Sequence, residues 1–363
     1  MSTAGRKLKA IYVNPPLSEA CLARLADLAE VIHCYPGSDD PPKEIFQEVE
    51  AIFLRYRELP SYIQDLSRDA PNLKLIQLSS SGADKVIKSL YKRGGEDRTT
   101  TAEKVPLCNA SGLHVVSIPP YIISTVLMVY HRLDEMLINA RVKGAWIDKM
   151  PDSRGKPYAV KSIRGKTFGF LGYGHIARET ARLVLPFGAR VIAANTTGRR
   201  VKDTGYVTEG TGDVDCSIPE EMFSTSDEAS LNEFLSRSDV LVASLPDTPA
   251  TRWLMTRERL DRLPEGSVYV NVGRGTLCRS EDILYALEKQ ERPLTGAIMD
   301  VTDPEPLPDG HPLLRHPKAI VTPHLSGDAE SELEVATDIF VKNLGRLIDG
   351  RPLMNVVDVS KGY

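Results

Sequence analysis

The stretch from residue 163 to 177 constrains the fold most, because it reads as a buried strand, a glycine turn and a helix start. Gly172 permits a tight turn, Gly174 lets the backbone approach a ligand, and Ala177 is small enough for the helix to pack on the strand. A pyrophosphate would then lie at the helix N-terminus. Glycine turns also occur without a ligand, but an amphipathic run and a second strand at 190–194 complete the span of about 30 residues typical of a dinucleotide-binding unit.

Short apolar runs alternate with helical patterns along most of the chain, which predicts parallel sheets with helices between their strands. The other predicted strands lie at 9–13, 31–35, 51–54, 73–78, 105–108, 239–245, 267–271, 295–300 and 319–322, and long helical patterns lie at 121–137 and 330–348. Ser18, Asp40 and Ser61 are predicted helix N-caps. Pro120 suits the first turn of the helix that follows it.

The composition excludes several functional classes. At 363 residues, with 42% hydrophobic and 26% charged residues, the chain is predicted to form two globular domains rather than one. The formal net charge is −4 and the basic residues are scattered, which argues against nucleic acid and membrane partners. Five cysteines without paired spacing argue against a disulfide framework and a zinc site, so no metal is predicted. No apolar stretch has the length of a signal-peptide core or a membrane span, which predicts a cytoplasmic protein.

Two segments lack the regular pattern. Residues 93–104 are polar with two adjacent glycines and are predicted to form a surface loop. Residues 198–230 carry several glycines and many hydroxyl and acidic side chains with little periodicity, so they are predicted to be an insertion. The insertion has two interpretations, a solvated excursion or a flap over the bound nucleotide.

Charged residues follow three later strands of the pattern, at the ends where ligands of parallel sheets bind. Arg274 follows one strand, Asp300 and Glu305 follow the next, and His324 follows the last. A guanidinium binds a carboxylate through two parallel hydrogen bonds and polarises a neighbouring carbonyl. A histidine exchanges a proton near neutral pH, and a carboxylate on its other nitrogen orients the ring and favours the imidazolium.

Each of these residues also has a structural interpretation when it is taken alone. Arg274 fits a surface loop, Glu305 a turn among prolines, and His324 a core histidine with satisfied hydrogen bonds. Their shared position at three successive strand ends favours the catalytic interpretation.

The residue that ends the second strand of the nucleotide unit determines which cofactor is predicted. Enzymes that use NAD place Asp or Glu about 20 residues beyond the glycines, where it binds the ribose hydroxyls. Asn195 stands there instead, followed by Thr196, Thr197, Arg199 and Arg200. Hydroxyl and guanidinium groups suit the 2′-phosphate of NADP, so NADPH is the predicted cofactor and NAD is the alternative. In the other interpretation the two arginines are only the solvated start of the insertion.

Five motifs resemble the signatures of the D-isomer-specific 2-hydroxyacid dehydrogenases. They are the glycine turn at 165–177, SLPDTPATR at 244–252, VNVGRG at 270–275, DVTDPEPLP at 300–308 and TPHLSG at 322–327. The resemblance implies that Arg274 binds substrate and that Glu305 pairs with His324, the acid/base. It also implies that backbone amides of the turn at 81–83 bind the substrate carboxylate.

The resemblance implies the architecture as well. The expected fold is α/β, with two Rossmann/flavodoxin-like domains built on parallel sheets and the active site in the interdomain cleft. The substrate domain is expected to be discontinuous, 1–118 plus 328–363, and the dinucleotide-binding domain to span 119–327 with the insertion inside it. Relatives pair through the nucleotide domain, so a homodimer is expected, and Trp146 resembles a tryptophan that approaches the partner's site in relatives.

The sequence departs from the family pattern in two further places. Ile118, Pro119 and Pro120 stand where many relatives have Val-Ala-Glu at the start of the helix that crosses between domains. Trp253 stands at a position where relatives often have histidine. The first departure concerns how that helix starts.

The complete predicted site has three parts and no metal. The predicted catalytic residues are Arg274, Glu305 and His324. The predicted cofactor-binding residues are Gly172, Tyr173, Gly174, His175, Ile176, Asn195, Thr196, Thr197, Arg199, Arg200, Leu245, Pro246, Thr251, Val272, Gly273, Arg274, Asp300, His324 and Gly327. The predicted substrate-binding residues are Arg55, Tyr56, Ser81, Gly82, Arg274 and His324.

These observations predict an NADPH-dependent reductase of a small 2-keto acid, such as glyoxylate, hydroxypyruvate or a bulkier analogue, that gives the D-2-hydroxy acid. A nucleotide-sensing scaffold of the corepressor type is an alternative, because fold does not settle function. A dehydrogenase of the formate or phosphite type is another, with a different substrate loop near 55–57.

Overall fold

The computed structural model describes residues 6–37, 40–55, 59–90, 105–147 and 159–360. The chain divides into two compact units. Unit 1 comprises Met1–His114, Thr204–Thr208 and Ala329–Tyr363, and unit 2 comprises Val115–Asp203 and Glu209–Asp328. The polar segment predicted to be a loop at 93–104 lies outside the described residues, as does Tyr56.

Unit 1 is built on a five-stranded parallel sheet with the order β2-β1-β3-β4-β5. Its strands are β1 (Leu8–Val13), β2 (Ala29–Cys34), β3 (Val49–Leu54), β4 (Leu75–Leu78) and β5 (Leu107–Cys108). Each strand begins and ends within two residues of its predicted bounds. The apolar runs predicted them well because strands covered on both faces are apolar throughout, as β4 is here.

The helices of unit 1 confirm one of the three predicted caps. They are α1 (Glu19–Ala26), α2 (Leu66–Asp69), α3 (Asp84–Leu90) and α10 (Glu332–Ile348). Ser18 caps α1 by accepting a hydrogen bond from the Cys21 N–H at 3.3 Å. The predictions for Asp40 and Ser61 are wrong, because Pro42 precedes the 3₁₀ turn and Asp65 caps α2.

Unit 2 contains a seven-stranded parallel sheet with the order β12-β11-β10-β9-β6-β7-β8. Its strands are β6 (Thr167–Leu171), β7 (Arg190–Asn195), β8 (Glu221–Ser224), β9 (Val240–Ala243), β10 (Val268–Asn271), β11 (Gly296–Met299) and β12 (Ala319–Val321). The strand order reverses beside β6, between β7 and β9. Such a reversal opens a crevice at the carboxyl ends of the strands, where nucleotides bind in doubly wound sheets. The predicted α/β class with two parallel sheets is confirmed.

The apolar segment after residue 117 forms two helices, so the prediction of one helix over 121–137 is wrong. The helices of unit 2 are α4 (Ile118–His131), α5 (Leu133–Arg141), α6 (His175–Val184), α7 (Glu228–Ser236), α8 (Arg257–Leu260) and α9 (Ser280–Glu288). Arg132 has a left-handed φ of +49°, which ends α4 and starts α5. Pro119 and Pro120 occupy the first turn of α4, where a proline costs no hydrogen bond, as predicted for Pro120.

The irregular segment is shorter than the predicted insertion at about 198–230. β8 and the start of α7 lie inside that range, so the irregular part ends at residue 220. Asp227 caps α7 by accepting from the Ser230 N–H at 2.7 Å. β8 pairs only with β7, so it is an edge strand, and its side chains do not follow the buried pattern of the inner strands.

Hydrophobic clusters cover both faces of the unit 2 sheet. On one face Phe168 and Phe170 pack with Ile122 and Val126 of α4. On the other face a second cluster forms around Tyr269 and the inward side chains of α7 and α9. This packing fixes β6, β9, β10 and β11 as a rigid base for the loops at their carboxyl ends.

All five cysteines are free thiols. Within the ranges that the structure describes, no group of three or more His, Cys, Asp or Glu side chains could hold a metal ion. No helix in those ranges combines the length and apolar character needed to cross a membrane.

Candidate active site

The glycine turn between β6 and α6 leaves room for an anion. Gly172 has a φ of +89°, and a Cβ there would lie 2.8 Å from Cδ2 of Leu245. Nothing lies within 4 Å of the place that a Cβ on Gly174 would take. The N–H groups of His175 and Ile176 begin α6 and therefore have no partner inside the helix. The turn offers these donors and the positive end of the helix dipole to a phosphate.

The side chains beside this turn are engaged within the protein. Tyr173 is buried and donates a hydrogen bond to Oδ2 of Asp213 at 2.9 Å. Burial and this carboxylate hold the pKa of Tyr173 well above its ordinary value. Its predicted contact with a cofactor is therefore left to its backbone. Nε2 of His175 lies 3.2 Å from Oδ2 of Asp203, an ion pair when the ring is protonated.

Asn195, which is predicted to bind the cofactor, closes the turn after β7 with its side chain. Its Oδ1 accepts from the N–H groups of Thr197 at 3.1 Å and Gly198 at 2.8 Å. Its Nδ2 donates to the carbonyl of Arg199 at 2.7 Å. The turn exposes Thr196 and Thr197, and no carboxylate occupies this position.

The two arginines predicted to bind a 2′-phosphate differ in their surroundings. Arg199 is exposed, and its guanidinium bonds to no described residue. Arg200 donates from both terminal nitrogens to the carbonyls of Cys216 and Pro219. The structure therefore assigns Arg200 to holding the irregular segment and leaves Arg199 as the available cation.

The loop after β9 lies beside the glycine turn in the sheet order. Leu245 contacts Gly172, as described above. Oγ1 of Thr251 donates to the carbonyl of Pro246 at 2.6 Å and accepts from the N–H of Thr248 at 2.9 Å. This closed turn fixes the course of the backbone at one wall of the crevice.

Two glycines place Arg274 at the end of β10. A Cβ on Gly273 would lie 2.6 Å from the carbonyl oxygen of Leu245, and one on Gly275 would lie 1.8 Å from that of Thr302. Neither position could hold a residue larger than glycine without moving the neighbouring backbone. Arg274 is half-buried, and its Nη1 donates to the carbonyl of Gly273 at 2.8 Å. No other described residue accepts from its guanidinium, whereas the neighbouring Val272 is buried.

Asp300, which is predicted to contact the cofactor, anchors the loop that carries His324. The residue is 3% exposed. Its Oδ1 accepts from Oγ1 of Thr322 at 2.6 Å and from the Leu325 N–H at 3.1 Å, and its Oδ2 accepts from the hydroxyl of Ser326. Each of these hydrogen bonds to the carboxylate is donated by the loop after β12.

His324 and Glu305 form the pair expected from the sequence. Nδ1 of His324 lies 2.6 Å from Oε1 of Glu305, and the side chains are 50% and 41% exposed. Oε2 of Glu305 accepts from the Thr302 N–H at 3.4 Å. His324 has a φ of +57°, and its N–H donates to the carbonyl of Asp300 at 2.9 Å. The carboxylate thus holds one ring nitrogen and leaves Nε2 for proton exchange.

The structure brings Arg274, Glu305 and His324 to one edge of the unit 2 sheet. We call the loops at 272–276, 300–306 and 322–327 the carboxyl edge, because they follow β10, β11 and β12. An arginine fork and a carboxylate-oriented histidine on adjacent strand ends can bind an anionic substrate and move a proton.

The sequence did not reveal two supports of this edge. Tyr121 of α4 forms a hydrogen bond of 2.8 Å with Oγ1 of Thr322, and burial raises the pKa of Tyr121 to about 12. Oγ of Ser117 donates to the carbonyl of Gly327 at 3.3 Å. Tyr121 and Thr322 are 201 positions apart, and no local pattern links them.

Comparison with known families now identifies the fold. Residues 123–326, more than half of the chain, match the model of the D-isomer specific 2-hydroxyacid dehydrogenase, NAD binding domain. The chain belongs to this family of D-2-hydroxyacid dehydrogenases. It is an oxidoreductase, and unit 2 is its domain for a nicotinamide cofactor.

Relatives of this dehydrogenase cover most of its length. An uncharacterised protein of Corynebacterium melassecola is 30% identical over 80% of this chain and 84% of its own length. The glyoxylate/hydroxypyruvate reductase A of Photorhabdus laumondii is 28% identical over 80% of this chain and 82% of its own. The NADPH-dependent glyoxylate/hydroxypyruvate reductase of Sinorhizobium meliloti, solved with NADP and sulfate, shares the fold with a TM-score of 0.68 at 24% identity, covering 98% of this chain and all of that one.

The predicted substrate residues of the dehydrogenase lie in unit 1, apart from Arg274 and His324. Arg55 follows β3, and its Nη2 lies 3.4 Å from Oε2 of Glu332. Ser81 follows β4, is exposed, and accepts from Nδ2 of Asn109 at 3.1 Å through its carbonyl. Gly82 follows Ser81 and is half-buried.

Proposed function

We propose that this dehydrogenase uses NADPH to reduce a small 2-keto acid, such as glyoxylate, hydroxypyruvate or a bulkier analogue, to the D-2-hydroxy acid. The observation that carries the proposal is the 2.6 Å contact between Nδ1 of His324 and Glu305, one strand end away from Arg274. An oriented imidazole and a guanidinium with donors left for a ligand are the groups that a 2-keto acid needs for proton transfer and for recognition of its carboxylate.

Each residue of the carboxyl edge has one role in the proposed reaction. Arg274 binds the substrate carboxylate and polarises the keto oxygen. His324 donates a proton from Nε2 to that oxygen, while Glu305 stabilises the imidazolium through Nδ1. A bound nicotinamide supplies the hydride. Because proton and carboxylate are held on fixed strand ends, the substrate presents one face, which sets the configuration of the product.

The residues of unit 2 fit NADPH. The open space at Gly174 and the first N–H groups of α6 suit the pyrophosphate. The turn after β7 exposes Thr196, Thr197 and Arg199. Their hydroxyl and guanidinium groups can bind a 2′-phosphate, which a carboxylate at this turn would repel. The reductase of Sinorhizobium meliloti is described as NADPH-dependent, which supports this choice.

We also propose that Ser81 and Gly82 offer backbone N–H groups to the substrate carboxylate, and that the segment at 55–57 sets substrate size. Both follow strands of unit 1, at the ends where ligands of parallel sheets bind. Substrate choice then depends on residues outside the carboxyl edge.

Initial rates with a panel of keto acids test the proposal. Glyoxylate, hydroxypyruvate and an aryl pyruvate are each offered with NADPH and with NADH, and the product is resolved on a chiral column. We expect reduction with a higher kcat/KM for NADPH and a D product. NADPH binding without turnover of any keto acid favours the nucleotide-sensing scaffold, and oxidation of formate or phosphite with NADP favours the third candidate.

We further propose that the enzyme is a cytoplasmic homodimer that pairs through α5. Leu137 and Ile138 on this helix are 41% and 51% exposed, and Val142 and Trp146 just beyond it are 78% and 95% exposed. Exposed apolar side chains close together are typical of protein interfaces. The five free thiols support the cytoplasmic location, because they suit a reducing compartment. Sedimentation equilibrium should give a dimer mass for the wild type and a monomer mass for Ile138→Glu; a monomeric wild type refutes the pairing.

A further inference from the structure

Trp253 has a strained backbone conformation, and its side chain has no role in the proposed reaction. It has a left-handed φ of +52°, which a bulky residue rarely adopts, and the residue is 43% exposed. Its N–H donates to the carbonyl of Thr276 at 2.7 Å, which places it beside the loop after Arg274. A strained residue that the surrounding structure retains points to a role for its side chain.

The indole of Trp253 is bonded to the loop that carries Glu305. Its Nε1 donates to Oδ2 of Asp303 at 3.3 Å. Asp303 stands two residues before Glu305, and its carbonyl accepts from Oγ of Ser280 at 2.8 Å. Asp303 is therefore fixed at both its side chain and its backbone.

A cation lies over the indole ring of Trp253. The guanidinium of Arg279 lies over the indole with 4.2 Å between its carbon and the ring centroid, which holds the ring in place. Arg279 and Ser280 are neighbours at the start of α9, so one helix end fixes both Trp253 and Asp303.

The same loop reaches His324 through only a few bonds. The Thr302 N–H donates to Oε2 of Glu305 at 3.4 Å, and Oε1 of Glu305 meets Nδ1 of His324 at 2.6 Å. The carbonyl of Thr302 lies against Gly275. The position of the Glu305 carboxylate thus depends on the backbone of residues 302–305. Trp253 and Ser280 hold this backbone at Asp303.

We propose that Trp253 is a positioning residue, which holds Asp303 so that the Glu305 carboxylate meets Nδ1 of His324. The inference rests on the proposed acid/base role of His324. The carboxylates that contact His324 or its backbone loop among the described residues are those of Glu305 and Asp300, and Asp300 is bonded to the loop backbone. Loss of the indole N–H therefore weakens the effect of Glu305 on the imidazole and leaves Asp300 in place.

The test follows Nδ1 of His324 at one fixed pH by NMR of the full chain labelled with ¹⁵N at histidine. The protein has seven histidines, and His324→Gln identifies the resonance by its loss. Glu305→Gln removes the carboxylate that Nδ1 meets, so the Nδ1 resonance should move from its wild-type position. Trp253→Phe keeps an aromatic ring under Arg279 but loses the N–H, and it should move the resonance in the same direction by a smaller amount.

Variants of Asp303 separate positioning from a general structural effect. Asp303→Asn keeps an acceptor for the indole N–H and should give the wild-type Nδ1 resonance. Asp303→Ala should match Trp253→Phe, and the double variant should be no worse than either single change, because both remove one bond. Tyr285→Leu breaks the similar stack under Arg257, at a distance of 5.1 Å, and should leave the Nδ1 resonance unchanged.

The outcomes distinguish this inference from the proposed function. An unchanged Nδ1 resonance in Trp253→Phe beside a displaced one in Glu305→Gln overturns the positioning role alone. Unchanged resonances in both overturn it together with the proposed role of Glu305. The kcat for keto-acid reduction should fall in the order of the displacements; if no keto acid is reduced, the proposed function fails and the NMR result still decides the role of Trp253.

Discussion

The loop after β10 and the turn after β6 both depend on glycine, but for opposite reasons. At the carboxyl edge, Gly273 and Gly275 are pressed against the backbones of Leu245 and Thr302. At the turn, Gly172 lies against the side chain of Leu245, but Gly174 faces open space. At Gly273 and Gly275 the protein itself fills the space that a side chain would need, and at Gly174 the space is open where we propose that the pyrophosphate binds.

This difference separates two kinds of functional glycine that look alike in a sequence. Where a neighbouring backbone fills the space, a substitution should damage the fold and the activity together. Where the space is open, a substitution should affect the ligand and leave the fold intact. Stability and cofactor affinity, measured on the same variants, can therefore test the comparison.

Gly275→Ala should have the largest effect. Its methyl group would lie 1.8 Å from the carbonyl oxygen of Thr302, so one of the two loops must move. We expect the free energy of unfolding to fall by about 1–3 kcal/mol or more, with keto-acid reduction at background level. Urea denaturation and steady-state kinetics measure both. The matched control is Gly345→Ala in α10, where nothing lies within 4 Å; wild-type stability and activity in Gly275→Ala would break the comparison.

Arg274→Lys should have the second largest effect, because it changes the group that the two glycines position. Lysine keeps the charge but loses the planar fork, so kcat/KM for reduction should fall about 100-fold through both kcat and KM. NADPH affinity, measured by fluorescence titration, should change little. Arg252→Lys, at a half-exposed ion pair with Asp247, is the control. Near-normal kinetics in Arg274→Lys would exclude the proposed role.

Gly174→Ala should affect the cofactor alone. The φ of Gly174 is −89° and its surroundings are open, so alanine fits without strain. A methyl group in the path of the pyrophosphate should raise the Kd for NADPH about tenfold, which is about 1.4 kcal/mol. The urea midpoint should stay at the wild-type value. If affinity is unchanged, the pyrophosphate does not lie at this turn.

The smallest expected effect distinguishes the two arginines after β7. Arg199→Ala removes an exposed cation, so kcat/KM with NADPH should fall several-fold, with a change of about 1 kcal/mol, while NADH is used as before. Arg200→Ala removes the bonds to Cys216 and Pro219 and should lower stability by about 1–3 kcal/mol without changing the preference. The reverse pattern would assign the 2′-phosphate to Arg200.

Most strands could be predicted from the sequence, and β8 shows why one could not. Inner parallel strands are covered on both faces and therefore appear as apolar runs between turns. β8 has one neighbour, and only one of its four side chains is buried, so its sequence resembles a loop. The break at Arg132 was missed for a different reason, since a left-handed residue other than glycine carries no sequence signal.

The candidate site was predicted where chemistry follows a strand and missed where tertiary contacts decide. The positions of Glu305 and His324 followed from the strand pattern. Only the family resemblance favoured Glu305 over Asp300 as the partner of the histidine. The residue pattern alone left both open, because the choice depends on which carboxylate binds the loop amides. Asp300 is bonded to those amides, and Tyr121 joins the same network from a distant helix.

The close approach of Gly275 to Thr302 has a consequence for the evolution of substrate range. Two loops that touch backbone to backbone cannot lengthen or change course separately, so insertions at the carboxyl edge should be selected against. New substrates must then be accommodated by changes elsewhere, such as in the segments after β3 and β4 in unit 1 that we propose to face the substrate. A library that diversifies residues 55–57 and 81–83 should give more folded variants with altered keto-acid preference than one that diversifies 272–276.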